Sequence, residues 1–242
     1  MRLGRRGLFQ ASLALAPLVL ATTAKAETTD LVAACDTALG PAIERMAAAF
    51  TAKTGVAIRL FPASPNLLLP QLARDVQNDI LITQAPLLDQ AGRTGLLAAD
   101  AKRIGSWQTR LVLAALRGTG RPTDGPIAVP DPNPAFPPDG RAMLTAMGLQ
   151  PAAILGAVDT RGVAFLLASG AAKAGLLYLT EVRTDARLDV VAELPADVSP
   201  PMTVGAALSH GTSRPNPGAF LAFLGTPEAS RLLRANGLEA AA

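Results

Sequence analysis

Cysteine is almost absent: Cys35 is the only one in 242 residues. No internal disulfide is possible, so the fold must rest on packing. Histidine is equally scarce. His210 stands alone in Ser209-His210-Gly211 and reads as a solvated turn residue, not a catalytic base. Cys35 has no partner base near it in the sequence and reads as a buried structural thiol. The chain has no metal-ligand cluster, no Gly-x-Ser-x-Gly elbow and no phosphate-binding Gly-Lys loop. These absences argue against an enzyme and against a bound metal or other cofactor. Aromatic residues make up 4% of the chain, with one tryptophan and one tyrosine. The core is therefore aliphatic, and little is available for base stacking. Basic runs are missing too, which excludes nucleic acid as a partner. There is no internal repeat and no low-complexity linker.

What is present begins with an apparent export signal over residues 1–26. A basic head (Arg2, Arg5, Arg6) precedes an apolar stretch from about Leu8 to Ala21, and Ala24-Lys25-Ala26 follows as a cleavage site. Gln10, Ser12 and Pro17 interrupt the stretch, which falls short of the roughly 20 residues of a spanning helix. Arg5-Arg6-Gly7-Leu8-Phe9 is close to the twin-arginine export pattern. The expected destination is the periplasm, with a mature chain of 216 residues starting at Glu27. Arg2, Arg5, Arg6 and Lys25 are four of the 22 basic residues, leaving 18 against 19 acidic ones, a net charge of −1. Val32-Ala33-Ala34-Cys35 is similar to a lipoprotein cleavage box. Lys25, Glu27 and Asp30 separate it from the apolar run, so lipidation at Cys35 is not expected. An exported chain with so little reactive chemistry is suited to capturing something, not transforming it.

Hydrophobic patterning predicts alternating strands and helices. Strands are expected at Leu31 to Ala34, Val56 to Phe61, Ile80 to Thr83, Leu111 to Leu116, Ile127 to Val129, Gly175 to Leu179, Asp189 to Ala192 and Thr203 to Leu208. Helices are expected at Leu39 to Lys53, Leu67 to Val76, from Pro86, Arg141 to Met147, Val163 to Ala168, Pro217 to Leu224 and Pro227 to Asn236. Ile43, Met46, Ala47 and Phe50 share one face of the first helix. Thr226-Pro227-Glu228 opens the last with an N-cap residue and a proline at the first helical position. The class is α/β, with parallel βαβ units. Such sheets bind ligands where strands give way to helices.

Four of those turns carry candidate donors: Asp36-Thr37, Ala63-Ser64-Pro65-Asn66, the proline-rich turn after Val129 through Phe136, and Asp159-Thr160-Arg161-Gly162. Tyr178 ends the strand that follows. Helix starts expose backbone N–H groups and a partial positive charge. Several converging on one point make an anion site without lysine or arginine. Taken singly, each hydroxyl or Asp reads as an ordinary N-cap, and the case rests on the set.

The set resembles the periplasmic molybdate-binding component of ABC importers, over nearly all of the mature chain. The resemblance is carried by Ala33-Ala34 through Phe50 to Thr54-Gly55-Val56, by Phe61, Ser64 and Leu67, and by Asn78-Asp79-Ile80-Leu81-Ile82. It continues through Asp159, Arg161-Gly162, Gly175 and Tyr178, then Pro195-Ala196-Asp197, Ser199-Pro200-Pro201, Phe220 to Leu224 and Pro227-Glu228-Ala229. It implies a two-lobed periplasmic-binding-protein fold, each lobe a mixed sheet flanked by helices, with two crossover strands as hinge. One lobe would comprise residues 27–108 plus 205–242, and the other 109–204. It implies a monomer that binds molybdate or tungstate and passes it to an ABC importer permease. The ligand would be held by Thr37, Ser64, Phe136, Thr160 and Tyr178, with no direct protein–metal bond. The first turn departs from the family's Ala-Ala-Ser-Leu, reading Ala33-Ala34-Cys35-Asp36-Thr37-Ala38-Leu39 with one extra residue. Which of Cys35, Asp36 and Thr37 faces the ligand stays open. Thr37 offers a replacement hydroxyl, whereas an inward Asp36 would repel a dianion.

A fully ionised oxyanion only accepts hydrogen bonds, so a site made of donors alone selects it over protonated anions. Each bond to a charged acceptor contributes roughly 1.5–3 kcal/mol. About five to seven of them reach the ~8 kcal/mol of a micromolar site after binding costs. The alternatives are a binding protein for sulfate or a small organic acid, and an exported anion sensor.

Overall fold

The computed structural model describes residues 30–74, 77–98, 104–132, 139–212 and 214–240. The expected export signal and Phe136 lie outside them. Two mixed sheets flanked by helices form two lobes. The first sheet contains β1 (Leu31–Asp36), β2 (Ile58–Ala63), β3 (Ile80–Gln84), β4 (Ile104–Thr109), β10 (Met202–Leu208) and β11 (Glu239–Ala240), in the order β11-β4-β10-β3-β1-β2. The second contains β5 (Leu111–Leu116), β6 (Ile127–Pro130), β7 (Ile154–Ala157), β8 (Ala174–Tyr178) and β9 (Leu188–Glu193), in the order β7-β6-β8-β5-β9. The chain passes from the first sheet to the second at Arg110 and returns between Glu193 and Met202.

The expected parallel units are present: β1 pairs with β2 and β3, and β6 with β7 and β8. Antiparallel pairs complete each sheet, β10 with β3 and β4, and β5 with β8 and β9. β1 is buried along its whole length because it lies between two strands with helices over the sheet. That is why it reads as an unbroken apolar run.

The helices are α1 (Gly40–Thr54), α2 (Pro65–Leu72), α3 (Ala85–Arg93), α4 (Gly140–Ala146), α5 (Thr160–Ala168), α6 (Leu179–Thr184), α7 (Pro217–Leu224) and α8 (Pro227–Ala235). α1 buries Ile43, Met46, Ala47 and Phe50, as its spacing predicts, and ends at Gly55 with φ +76°. A left-handed residue at that point satisfies the last carbonyls, and glycine adopts it without strain. The few aromatics are concentrated where α1 meets α7. Phe50 lies 5.2 Å from Phe220 and 5.6 Å from Phe223, centroid to centroid. Each such buried ring stabilises the lobe by about 2–3 kcal/mol. Asp79, from the third-strand motif, is structural. Its carboxylate accepts from the Val32 N–H at 2.7 Å and from Arg214 at 2.8 Å, pinning β1 to the chain's later segment. Thr226 caps α8 by accepting from the Ala229 N–H at 3.1 Å. Among the described residues no helix is long and apolar enough to cross a membrane.

Gly175 sets how closely α5 lies on β8. A Cβ there would come within 2.5 Å of Val163 Cγ1 and 3.2 Å of the Ala128 carbonyl oxygen. Both neighbours are fixed, one in a packed helix and one in a paired strand. Gly175→Ala should therefore push α5, and with it Thr160, off the sheet, at a cost of about 1–3 kcal/mol. Thermal melting checks this; an unchanged melting temperature would mean that the helix moves freely.

Candidate functional site

β1 delivers Asp36 and Thr37 to the boundary between the sheets, immediately before α1. The turn consumes its own donors. The Thr37 N–H donates to Ala63 O at 3.1 Å, Ala38 N–H to Asp36 Oδ1 at 3.1 Å, Leu39 N–H to Asp36 O at 2.9 Å and Gly40 N–H to Thr37 O at 3.2 Å. Asp36 Oδ2 accepts from Gln84 Nε2 at 3.2 Å, and the carboxylate is 2% exposed. Its carboxylate thus closes the turn leading into α1, whose N-cap, Leu39, has no side-chain cap bond. Burial first, and the nearby Asp159 charge last, push its pKa up to about 6, against the lowering effect of the Gln84 and Ala38 bonds.

Ser64 sits at the N-cap of α2, and its hydroxyl donates to Asp159 Oδ2 on the opposite lobe. Asp159 caps α5, accepting from the Gly162 N–H at 2.9 Å. Thr160 begins α5, and its hydroxyl donates to Glu181 Oε1 at 2.9 Å. Glu181 Oε2 accepts from the Tyr178 N–H at 2.9 Å, closing a capping box at α6. Burial pushes the Glu181 carboxyl up to about 7; those two bonds lower it, and Asp36 and Asp159 raise it. Burial, then the charges of Asp36 and Glu181, raise the Tyr178 phenol, so it stays protonated and able to donate. A second bridge between the lobes runs from the Thr180 hydroxyl to Ala38 O at 2.8 Å.

Asp36, Thr37, Gln84, Asp159, Thr160 and Tyr178 line one cavity of about 20 Å³. Ser64 reaches its wall through Asp159, and the adjoining Pro65 forms part of it. The described residues of this wall include no lysine or arginine. An open groove of about 1220 Å³ runs alongside, between α1 and β2 on one lobe and α5 and α6 on the other. It holds Arg161 and Arg187 and shares Thr37 with the cavity. The small cavity carries the converging polar groups; the groove is too wide to grip one small ion.

The four described residues singled out from the sequence therefore gather at one place. Phe136 lies outside the described residues. The inward orientation of Asp36, left open by the sequence, is resolved: it faces the cavity. Two further residues went unforeseen. Glu181 had a local signal, three positions after Tyr178 as a capping box requires. Gln84 had none beyond ending a strand. The carboxylates of Asp36, Asp159 and Glu181 lie near one another, yet the described residues contain no group of three or more His, Cys, Asp or Glu arranged to hold a metal ion. Cys35 is fully buried, and burial then Asp36 push its thiol up to about 12, which makes it inert. A pair of unit charges 4 Å apart repels by about 4 kcal/mol at an effective permittivity of ~20, so Asp36 weighs directly on any anionic guest.

Cavity, turns and two-lobed architecture together define a solute receptor. The family model for bacterial extracellular solute-binding proteins matches residues 31–239, and the chain belongs to that family. It is a binding protein and not an enzyme. No curated protein sequence matches the chain. Among solved structures it is similar to the periplasmic molybdate-binding protein of Azotobacter vinelandii. That match has a TM-score of 0.73 and 19% identity, and covers 88% of this chain and 100% of the other. It is also similar to Peb3 from Campylobacter jejuni (TM-score 0.66, 17% identity, 88% and 100% covered), a protein also solved with L-phospholactate bound. A third is the sulfate-binding protein SubI from Mycobacterium tuberculosis H37Rv (TM-score 0.66, 15% identity, 88% and 87% covered). At such identities the likeness establishes the fold.

Because burial raises the Asp36 pKa, the stability linked to its protonation is fully present below the unfolded value of 3.8 and is lost as pH rises through about 6. Asp36→Asn keeps the acceptor for the Ala38 N–H and removes the charge; Gln84 can turn its amide oxygen toward the new donor. At about pH 8 this variant should be more stable than the parent by about 1–3 kcal/mol, an advantage that fades toward about pH 4. Melting curves of both proteins across that range check the sign. A parent more stable than the variant at pH 8 would show the carboxylate to be stabilising.

Proposed function

We propose that this protein is a periplasmic receptor, exported by the twin-arginine route, that captures a small oxyanion between its lobes and delivers it to an ABC importer permease. The lobes would be residues 27–108 plus 205–242 and residues 109–204, closing as a monomer about the two crossings. The observation that carries this reading is the convergence of hydroxyls and helix starts from separate strand-to-helix turns on one cavity. Thr37 and Ser64 would grip from one lobe, Thr160 and Tyr178 from the other. Phe136 would add a backbone N–H from the proline-rich turn.

Molybdate or tungstate is the guest favoured by the sequence resemblance and by the likeness to the Azotobacter protein. The cavity of about 20 Å³ has room for roughly one water. The lobes must therefore part to admit an ion, and closure follows around it. Ser64 must then exchange Asp159 for the guest, so opening and capture compete for the same hydroxyl. The similarity to a sulfate-binding protein and to a protein solved with L-phospholactate bound favours a second reading, in which the guest is sulfate or a small organic acid.

Thermal-shift measurements with molybdate, tungstate, sulfate and phosphate test the class: at least one should raise the melting temperature, and a flat response to all would remove the oxyanion reading. Ser64→Ala should weaken the anion that binds at least several-fold, with the circular dichroism spectrum unchanged. Tyr178→Phe should weaken it as well. Full affinity in both variants would place the site elsewhere.

A further inference from the structure

We infer that Asp36 makes this cleft a receptor for an oxyanion together with one proton, held between the Asp36 carboxyl and an oxygen of the guest. The inference rests on the oxyanion reading of the cleft and makes Asp36 its specificity-determining residue.

The geometry leaves little alternative to such a proton. Asp36 is 2% exposed and lines the same small cavity as Thr37, Thr160 and Tyr178. An ion touching those donors also meets the carboxylate. The groups around Asp36 are neutral or acidic: Cys35 on its own strand, Gln84 at the end of β3, Asp159 at the start of α5, Tyr178 at the end of β8 and Glu181 in α6. No described lysine or arginine on the cavity wall offsets the charge. The N–H groups of the first turn, which would otherwise hold an anion, are already paired within the turn and with Ala63.

Asp36 is also the carboxylate on the cavity wall with the weakest internal pairing. Asp159 and Glu181 each receive a backbone N–H at a helix start and a hydroxyl from a neighbour. Withdrawing either charge would loosen α5 or α6. Asp36 receives one local N–H at 3.1 Å and a neutral amide at 3.2 Å, and that amide can rotate to present its oxygen instead. Burial raises the pKa of Asp36 and of Glu181 alike, but of the two only Asp36 lines the small cavity. A nearby anion raises the Asp36 pKa further, so the complex retains the hydrogen at higher pH than the free protein does.

The consequence is selectivity by hydrogen content. Sulfate and molybdate carry no hydrogen at neutral pH, so Asp36 must supply it, and their affinity falls by about tenfold per pH unit above about 6. Inorganic phosphate carries its own hydrogen through the neutral range and donates it to ionised Asp36. Phosphate and sulfate are nearly equal in size and shape, so the pair isolates this effect. A carboxylate in a site of donors discriminates because the guest without a hydrogen leaves it repelled and unpaired.

Calorimetric titration of the purified protein with sulfate, molybdate and phosphate, at about pH 5, 6.5 and 8, tests the proposal. Each titration is run in two buffers of different ionisation heat, which counts protons taken up. The expected result is uptake of about one proton with sulfate or molybdate at pH 8 and a loss of about 10- to 100-fold in their affinity between pH 5 and 8. Phosphate should lose far less. Asp36→Asn should bind sulfate with no pH dependence and lose the preference for phosphate. Sulfate or molybdate affinity that is flat with pH in the parent, without proton uptake, overturns the inference while leaving the oxyanion reading intact. An Asp36→Asn variant that keeps the parental pH profile also overturns it. Failure of all three ions to bind parent and variant at any pH removes the oxyanion reading and this inference with it.

Discussion

A helix that begins inside a protein leaves backbone N–H groups without partners, and they must be paired by something. In this chain the pairing at the cleft is done by the protein's own carboxylates at α5 and α6, and in the turn that leads into α1. Asp36 closes the turn into α1, Asp159 caps α5, and Glu181 closes the start of α6. The positive end of each helix offsets part of the charge gathered there. Two of these carboxylates also collect hydroxyls, Ser64 on Asp159 and Thr160 on Glu181, and the first of these contacts joins the lobes. Cleft shape, lobe contact and charge thus follow from one constraint. A guest must displace internal pairs that are already good, so binding measures a difference between two sets of hydrogen bonds, not the sum of one.

The fold was legible wherever burial dominates local sequence. β1, β3 and β5 are apolar runs bounded by turn residues, and their buried positions produce that pattern directly. α1 shows its buried face at helical spacing. β4, with the sequence Ile-Gly-Ser-Trp-Gln-Thr, carries a glycine and polar residues and escaped notice. It is held by pairing with β10 and β11, a non-local cause that leaves no periodicity in the strand itself. α6 is six residues long, too short for a 3.6-residue repeat to emerge. The antiparallel pairs were also hidden from local patterning, because a strand buried on both faces reads the same whichever way its neighbour runs.

The site was legible through turn logic more than through any motif. Thr37, Ser64 and Thr160 each precede or open a helix, and strand ends of one sheet edge must come near one another. Tyr178 ends β8 for the same reason. What the sequence could not supply is the direction of a side chain within such a turn. Asp36 and Thr37 are adjacent, and only the packing of Gln84 and Ala38 against the former decides that its carboxylate points inward. Glu181 could have been found from its offset to Tyr178. Gln84 acts through a contact 48 positions away in sequence, beyond the reach of any local rule.

Similarity of fold leaves the chemistry of the guest undetermined, and the first turn shows why. The backbone path from β1 into α1 is a property of the architecture, but the occupant of the turn is a single side chain. A serine there adds a donor, whereas an aspartate adds an acceptor and a charge, with little change to the frame. The free-energy difference between those choices, about 4 kcal/mol or more for a close charged guest, equals a thousandfold in affinity. That exceeds what any one hydroxyl around the cavity contributes. Under the proposed oxyanion reading, selectivity would therefore be set less by the number of donors that surround the guest than by the one acidic group placed among them.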